Sequence, residues 1–185
     1  MIKEIHKLID EADAIITYNG KRFDMPTLNK EFLIYKLPPP SPYKDIDLIN
    51  TARGKFKFAS NKLDYIAQVL GIGMKTSHQG MPLWIECMAK NPKAWKLMKK
   101  YNINDVKLTE EVYNRLQGWI NIHPNHNILS EGVVCPNCGG NHLQKRGTSL
   151  ALTKVWQRVQ CQDCGKWSKL NKPIETTKSK SALPI

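Results

Sequence analysis

The feature that most constrains this chain is a pair of CxxC knuckles in its last third. Cys135-Pro136-Asn137-Cys138-Gly139 is followed by Cys161-Gln162-Asp163-Cys164-Gly165, with 22 residues between Cys138 and Cys161. A CxxC turn puts two sulfurs on one side of a tight bend, and the glycine after it relieves the backbone. Two such turns from adjacent hairpins complete a tetrahedral sulfur site, which suits Zn2+. Five cysteines in all, four paired this way and Cys87 alone, point to a reducing compartment and a metal site rather than to disulfides. Four protein ligands close the shell, so the zinc is expected to be structural. His142 is then surplus and is expected at the surface, and Cys87 in the core. A module of about 40 residues cannot stabilise itself by burial alone, so the metal would hold it together.

The chain is also basic, with a formal net charge of +12 over 185 residues. Residues 1–132 carry 19 basic and 14 acidic side chains, whereas residues 133–185 carry 9 and 2. The smaller part thus holds the larger excess, which favours a polyanionic partner, nucleic acid first. Lys145, Arg146, Lys154, Arg158, Lys166 and Lys169 surround the knuckles, with Trp156 and Trp167 interleaved. Cations reach phosphates and aromatics stack on bases. The competing reading is that the tryptophans fill a tiny core and the lysines only solvate it. Hydrophobic content of 41% is enough for a packed core. No apolar run approaches the ~18 residues of a membrane span, and the opening residues mix Lys3 and Lys7 with Glu4, Asp10, Glu11 and Asp13, unlike a signal peptide. A cytoplasmic protein with no membrane partner is expected.

Along the chain, Ile2, Ile5, Leu8, Ile9 and Ala12 share one helical face. Residues 14–18 read as a short buried strand ended by Asn19-Gly20. Residues 24–36 read as a helix with Asp24 at its N-cap and Pro26 in the first turn. The run Pro38-Pro39-Pro40-Ser41-Pro42 is an extended loop, and Ile46 to Ile49 a short strand. Ser60 or Asn61 caps a third helix that buries Leu63, Ile66, Ala67 and Leu70 and stops at Gly71 and Gly73. A long helix follows Pro92, from about Ala94 to Trp119.

That long helix carries one apolar stripe, Met98, Tyr101, Leu108, Val112, Leu116 and Trp119, interrupted by Asp105. A carboxylate on a core-facing stripe is costly unless hydrogen-bonded or bound to a metal. Tyr101 lies one turn earlier, so its hydroxyl projects near the same place. Alternatively Asp105 sits at the stripe's edge and is solvated. A second carboxylate, Asp24, follows the buried strand in Tyr18-Asn19-Gly20-Lys21-Arg22-Phe23-Asp24-Met25-Pro26.

These two segments resemble the second and third motifs of the 3′–5′ exonucleases with the ribonuclease-H-like fold. The first is asparagine-glycine followed by phenylalanine-aspartate-x-proline. The second, Tyr101-Asn102-Ile103-Asn104-Asp105-Val106, is similar to the subclass with tyrosine four residues before the aspartate. Pro38 to Tyr43, Asp45-Ile46-Asp47-Leu48, Ser60 to Asp64 and Leu83-Trp84 resemble the intervening text of these proteins. In phage and prophage versions such a domain is often followed by a CPxCG ribbon. The resemblance implies two-metal phosphodiester hydrolysis, with Mg2+ or Mn2+ held by Asp24 and Asp105. Tyr101 would orient the attacking water and Asn19 would touch the nucleic acid, single-stranded DNA in the first instance. The setting implied is a bacterial or phage-infected cell.

The family's first motif, aspartate-x-glutamate on an initial strand, has no counterpart before Asp24, and Asp45-Ile46-Asp47 comes too late to supply it. The expected fold class is therefore α/β. A partial ribonuclease-H-like domain over 1–120, mostly helical with about two strands, is followed by a linker (121–132), a small β zinc ribbon (133–169) and a basic flexible tail (170–185). A partner polypeptide would bring the missing strands and the missing acids. The alternatives are a non-catalytic zinc-ribbon DNA-binding protein and a subunit of a phage replication or recombination complex.

Overall fold

The computed structural model describes residues 1–75 and 80–174. Helix α1, Ile2–Asp10, lays Ile2, Ile5 and Ile9 against Met25, Leu28 and Phe32 of helix α2, Asp24–Ile34. Leu8, expected on that face, is instead 68% exposed, so the buried stripe is the narrower i, i+3, i+7 row. Strand β1, Ala14–Thr17, pairs in parallel with β2, Lys44–Asp47, with Ile16 opposite Ile46. Parallel pairing needs a crossover, and α2 with the extended proline loop provides it. The loop is tied back where Ser41 donates its N–H and its hydroxyl to Asp10 Oδ1.

The strand expected at 46–49 lies two residues earlier, and Leu48 opens a helix that the sequence reading did not anticipate, α3, Leu48–Lys55. The cause is Asp47, 5% exposed, whose carboxylate caps α3 by accepting from Ile49 N. An extended aspartate at an N-cap converts a strand end into a helix start. Asp24 was expected to play that part for α2. It is the first helical residue instead, Phe23 holds the cap position, and the acid sits in the first turn where the helix dipole favours it.

Helix α4, Leu63–Val69, buries Leu63, Ile66 and Ala67. It stops as expected at Gly71, whose φ of 68° carries the closing bonds Gly71 N–H to Gln68 O and Ile72 N–H to Ala67 O. Helix α5, Met81–Met88, was also unanticipated. Its Leu83 and Cys87 pack on Ala94 and Met98 of α6, Pro92–Leu116. Cys87 is thus the core thiol expected. Helices α3, α4 and α5 all pack against α6, which makes α6 the organising element of this half. It ends before Trp119, which falls in a 3-10 turn, Gln117–Trp119, and is 54% exposed rather than continuing the stripe.

The chain divides into two compact units, Met1–Leu116 and the residues from Gln117 onward. The second unit is a three-stranded antiparallel sheet in the order β3 (Leu143–Leu150), β4 (Val155–Cys161), β5 (Trp167–Ile174). The stretch expected as a plain linker contains a 3-10 helix, His126–Leu129, whose first N–H bonds Pro136 O in the first knuckle. Residues 170–174, expected in a flexible tail, belong to β5; the rest of that tail lies outside the described residues. Among the described residues of this unit, the buried aliphatic side chains are Ile120 and Val159. At roughly 1.5–3 kcal/mol each, they fall far short of ordering some 50 residues. No helix among the described residues is long and apolar enough to cross a membrane.

Candidate metal centre and acidic cleft

The two knuckles are built alike. In each, the first cysteine's carbonyl accepts from the glycine four residues on (Gly139 N to Cys135 O, 2.9 Å; Gly165 N to Cys161 O, 3.0 Å). In each, the same cysteine's N–H donates five residues on (to Gly140 O and Lys166 O). Gly139 and Gly165 take φ of 74° and 75°, a conformation that disfavours a side chain. The four sulfurs lie within 4.8 Å of one another, with Cys135 and Cys164 3.7 Å apart and Cys138 and Cys161 3.6 Å apart. A tetrahedron of ~2.3 Å zinc–sulfur bonds has edges near 3.8 Å, so the donor set fits zinc in both chemistry and size. Burial pushes the Cys138 thiol up, with contributions from the three other cysteines. Thiols this close oppose one another's ionisation, and a divalent cation is what lets them share one site as thiolates. Cys135, Cys138, Cys161 and Cys164 would hold the ion. His142 stays at the surface, as expected, paired with Asp163 at 2.7 Å.

Register sorts the basic and aromatic residues around the ribbon. Arg158 faces Lys169 and Gln160 faces Trp167 across β4 and β5, which puts these four on one face. The Arg158 guanidinium lies 5.1 Å from the Trp167 ring and the Lys169 ammonium 4.7 Å from the Trp156 ring. Trp167 is 46% exposed, so it does not fill a core. Lys145 pairs with Val159 and so belongs to the opposite face. Arg146 bonds Gln144, and Lys154 is exposed in the turn between β3 and β4. Lys166 is placed differently from the phosphate contact expected of it: its ammonium donates to Ile120 O at 2.7 Å and to Asn121 Oδ1 at 3.3 Å.

In the first unit the end of β1 and four helices, α2, α3, α4 and α6, line a cleft of about 1090 Å3. Asn19, Asp24 and Asp105, expected to act together, all line it, beside Arg53, Asn61, Lys62, Asp64 and Lys75. Asn19 sits at φ 66° at the end of β1, held there because its N–H donates to Asp47 Oδ1 at 2.6 Å. Lys21 N–H takes the other Asp47 oxygen. Gly20 is obligatory in this turn, since a Cβ there would lie 2.5 Å from Thr17 Cβ. Burial, then the nearby Asp47 charge, push the Tyr18 phenol up to about 12. It therefore stays a neutral donor, bonded to Asn61 O at 2.8 Å.

Asp105 is neither solvated nor alone. Its Oδ2 pairs with the Lys75 ammonium at 2.6 Å, and the same ammonium reaches Tyr101 Oη at 3.4 Å. Burial pulls the Lys75 pKa down, but the hydrogen bond and charge of Asp105 outweigh it, and the net shift is upward. Asp105 Oδ1 is buried with no hydrogen-bond partner, the condition a hard cation would relieve. Asp24 is exposed at the same cleft. Among the described residues, however, the four cysteines are the group of three or more ligating side chains within reach of one ion. Asp24 and Asp105 line the same cleft and belong to no such group among the described residues. Sequence reasoning missed Asp47, Asp64 and Lys75. Asp47 before an apolar run carried an N-cap signal, whereas nothing in the local pattern marked Lys75.

Searches of curated proteins and of solved structures give no match. The family model described as the RNase_H superfamily matches residues 1–117, more than half of the 185. That superfamily implies a nucleic-acid substrate and a fold that generally uses divalent metals, and it is the family to which this chain belongs.

Proposed function

We propose that this chain is part of a metal-dependent 3′–5′ exonuclease, with its first acidic pair supplied by residues outside these 185. The observation that carries this reading is the convergence of Asn19, Asp24, Asp105 and the cations Arg53, Lys62 and Lys75 on one cleft. A bound divalent ion would supply a water of lowered pKa and stabilisation of the leaving oxygen. Asp24 and Asp105 would hold it. The Tyr101 hydroxyl, one turn from Asp105 on α6, would orient the attacking water. Arg53 and Lys62 would bind phosphate oxygens, and Asn19, fixed by Asp47, would hydrogen-bond the terminal nucleotide. In the ribbon, Trp156 and Trp167 with Arg158 and Lys169 would hold single-stranded DNA by stacking and charge.

The test is release of label from 3′-labelled single-stranded DNA by the zinc-loaded chain in Mn2+, with Asp105→Ala alongside. Binding without release is the expected result. Release that Asp105→Ala abolishes would show that acids within the chain suffice and would sink the requirement for an outside pair. Failure to bind the oligonucleotide would sink the functional reading itself.

A second reading is a non-catalytic DNA-binding protein. It is favoured by the ion pair of Lys75 with Asp105, which already neutralises the carboxylate that catalysis would need. Under it, Asp105→Ala leaves DNA binding unchanged or slightly tighter, because a negative charge near phosphate is removed.

A further inference from the structure

Lys75 is held from two sides. Its backbone N–H donates to Asp64 Oδ1 on α4 at 2.7 Å, and the Met74 carbonyl just before it accepts from Asn104 Nδ2 on α6 at 3.1 Å. Its ammonium then lies 2.6 Å from Asp105 Oδ2 and 5.4 Å from the centre of the Tyr101 ring. Both partners are largely withdrawn from solvent, the Lys75 side chain 31% and that of Asp105 24% exposed. A carboxylate in such surroundings needs a counter-charge. Lys75 supplies it on one oxygen, while the buried Oδ1 is left without a partner.

We propose that Lys75 is the resident counter-ion of Asp105, and that a divalent ion binds this carboxylate only by displacing it. The proposal rests on the reading of Asp105 as a metal ligand. Its physical basis is competition. A divalent ion on Asp105 with the ammonium still in place would put like charges within the width of one carboxylate, where water screens them weakly. Binding must therefore break the Lys75–Asp105 pair, and the ion's affinity is lowered by the strength of that pair. The anchored backbone at Asp64 keeps the ammonium close, so it competes at high local concentration.

The experiment is Mn2+ titration of the full chain with its cysteines zinc-loaded, following the loss of the free Mn2+ electron paramagnetic resonance signal. Wild type is compared with Lys75→Met, Lys75→Gln, Lys75→Arg and Asp105→Asn. The expected result is tighter Mn2+ binding by Lys75→Met and Lys75→Gln, on the order of tenfold, with no tightening in Lys75→Arg, which keeps the charge. Asp105→Asn should lose the binding. The two neutral variants differ in polarity, so a folding defect in one leaves the other to decide. If Asp105→Asn weakens Mn2+ binding while both neutral variants bind as wild type or more weakly, the counter-ion role is overturned and the ligand role of Asp105 survives. If Asp105→Asn binds Mn2+ as wild type does, the ligand reading falls and the proposal with it.

Discussion

In the unit that begins at Gln117, every ligand of the candidate metal centre comes from two four-residue knuckles, each shaped by its own backbone hydrogen bonds. In the unit that ends at Leu116, the cleft's charged groups come from α2, α3, α4, α6 and the segments on either side of α4, and the ion pair among them, Lys75 with Asp105, joins residues 30 apart in sequence. The first arrangement is closed, uniform in ligand type and poor in buried apolar side chains. The second is open, mixed in sign and set on a larger helical core. The difference teaches that with an ion on the four cysteines, fold stability would rest on a metal in one region and on packing in the other. Loss of the ion should therefore damage the two regions very unequally.

The sharpest way to break this comparison is to remove the zinc. Cys161→Ser, or a strong chelator, should unfold the three-stranded sheet, because apparent zinc binding worth ~10–16 kcal/mol is folding energy in modules of this kind. Amide signals of residues 117–174 should collapse in an NMR spectrum while those of α1 to α6 persist. Collapse of both sets, or of neither, would end the distinction. Next in size is Asp47→Ala. It removes the acceptor for Asn19, Lys21 and Ile49 N–H groups and should destabilise the first unit by about 2–4 kcal/mol, seen as a lower Tm of the helical signal with zinc content unchanged.

A smaller effect should sharpen the comparison on the binding side. Trp167→Ala should weaken single-stranded oligonucleotide binding by about 1–3 kcal/mol with an unaltered salt slope. Arg158→Ala should lower the slope by about one unit, measured by fluorescence anisotropy across salt concentrations. The smallest concerns pH. The folded pKa of Lys75 is raised, so the stability its pairing contributes is fully present below the ordinary lysine value and is lost as pH rises through the folded value. Denaturant unfolding of the first unit should show no loss from this pair between about pH 6 and pH 9, and a loss of under about 1 kcal/mol well above pH 10. Lys75→Met should remove that alkaline step.

Much of this was legible beforehand where the signal is short-range. The Gly71 stop, the α2 helix and the two knuckles each rest on interactions within about five residues, which a sequence states directly. Asp105 was legible as an anomaly, since an acid on an apolar stripe needs an explanation. Its explanation was not, because the answering charge is 30 residues away in a segment without periodicity. Similarly, Lys166 looks like any other basic residue beside a tryptophan until Ile120 O is found to hold it.

The sequence by itself determined which atoms could ligate a metal and where helices and strands would nucleate, because cysteine spacing, glycine stops and apolar periodicity act through the local backbone. Only the tertiary structure decided that Leu8 turns to solvent, that Asp47 also holds the N–H groups of Asn19 and Lys21, and that Lys75 answers Asp105. Those outcomes depend on which face of each helix meets its neighbours, and on which charge lies within a few ångströms of a carboxylate once several helices have packed around it.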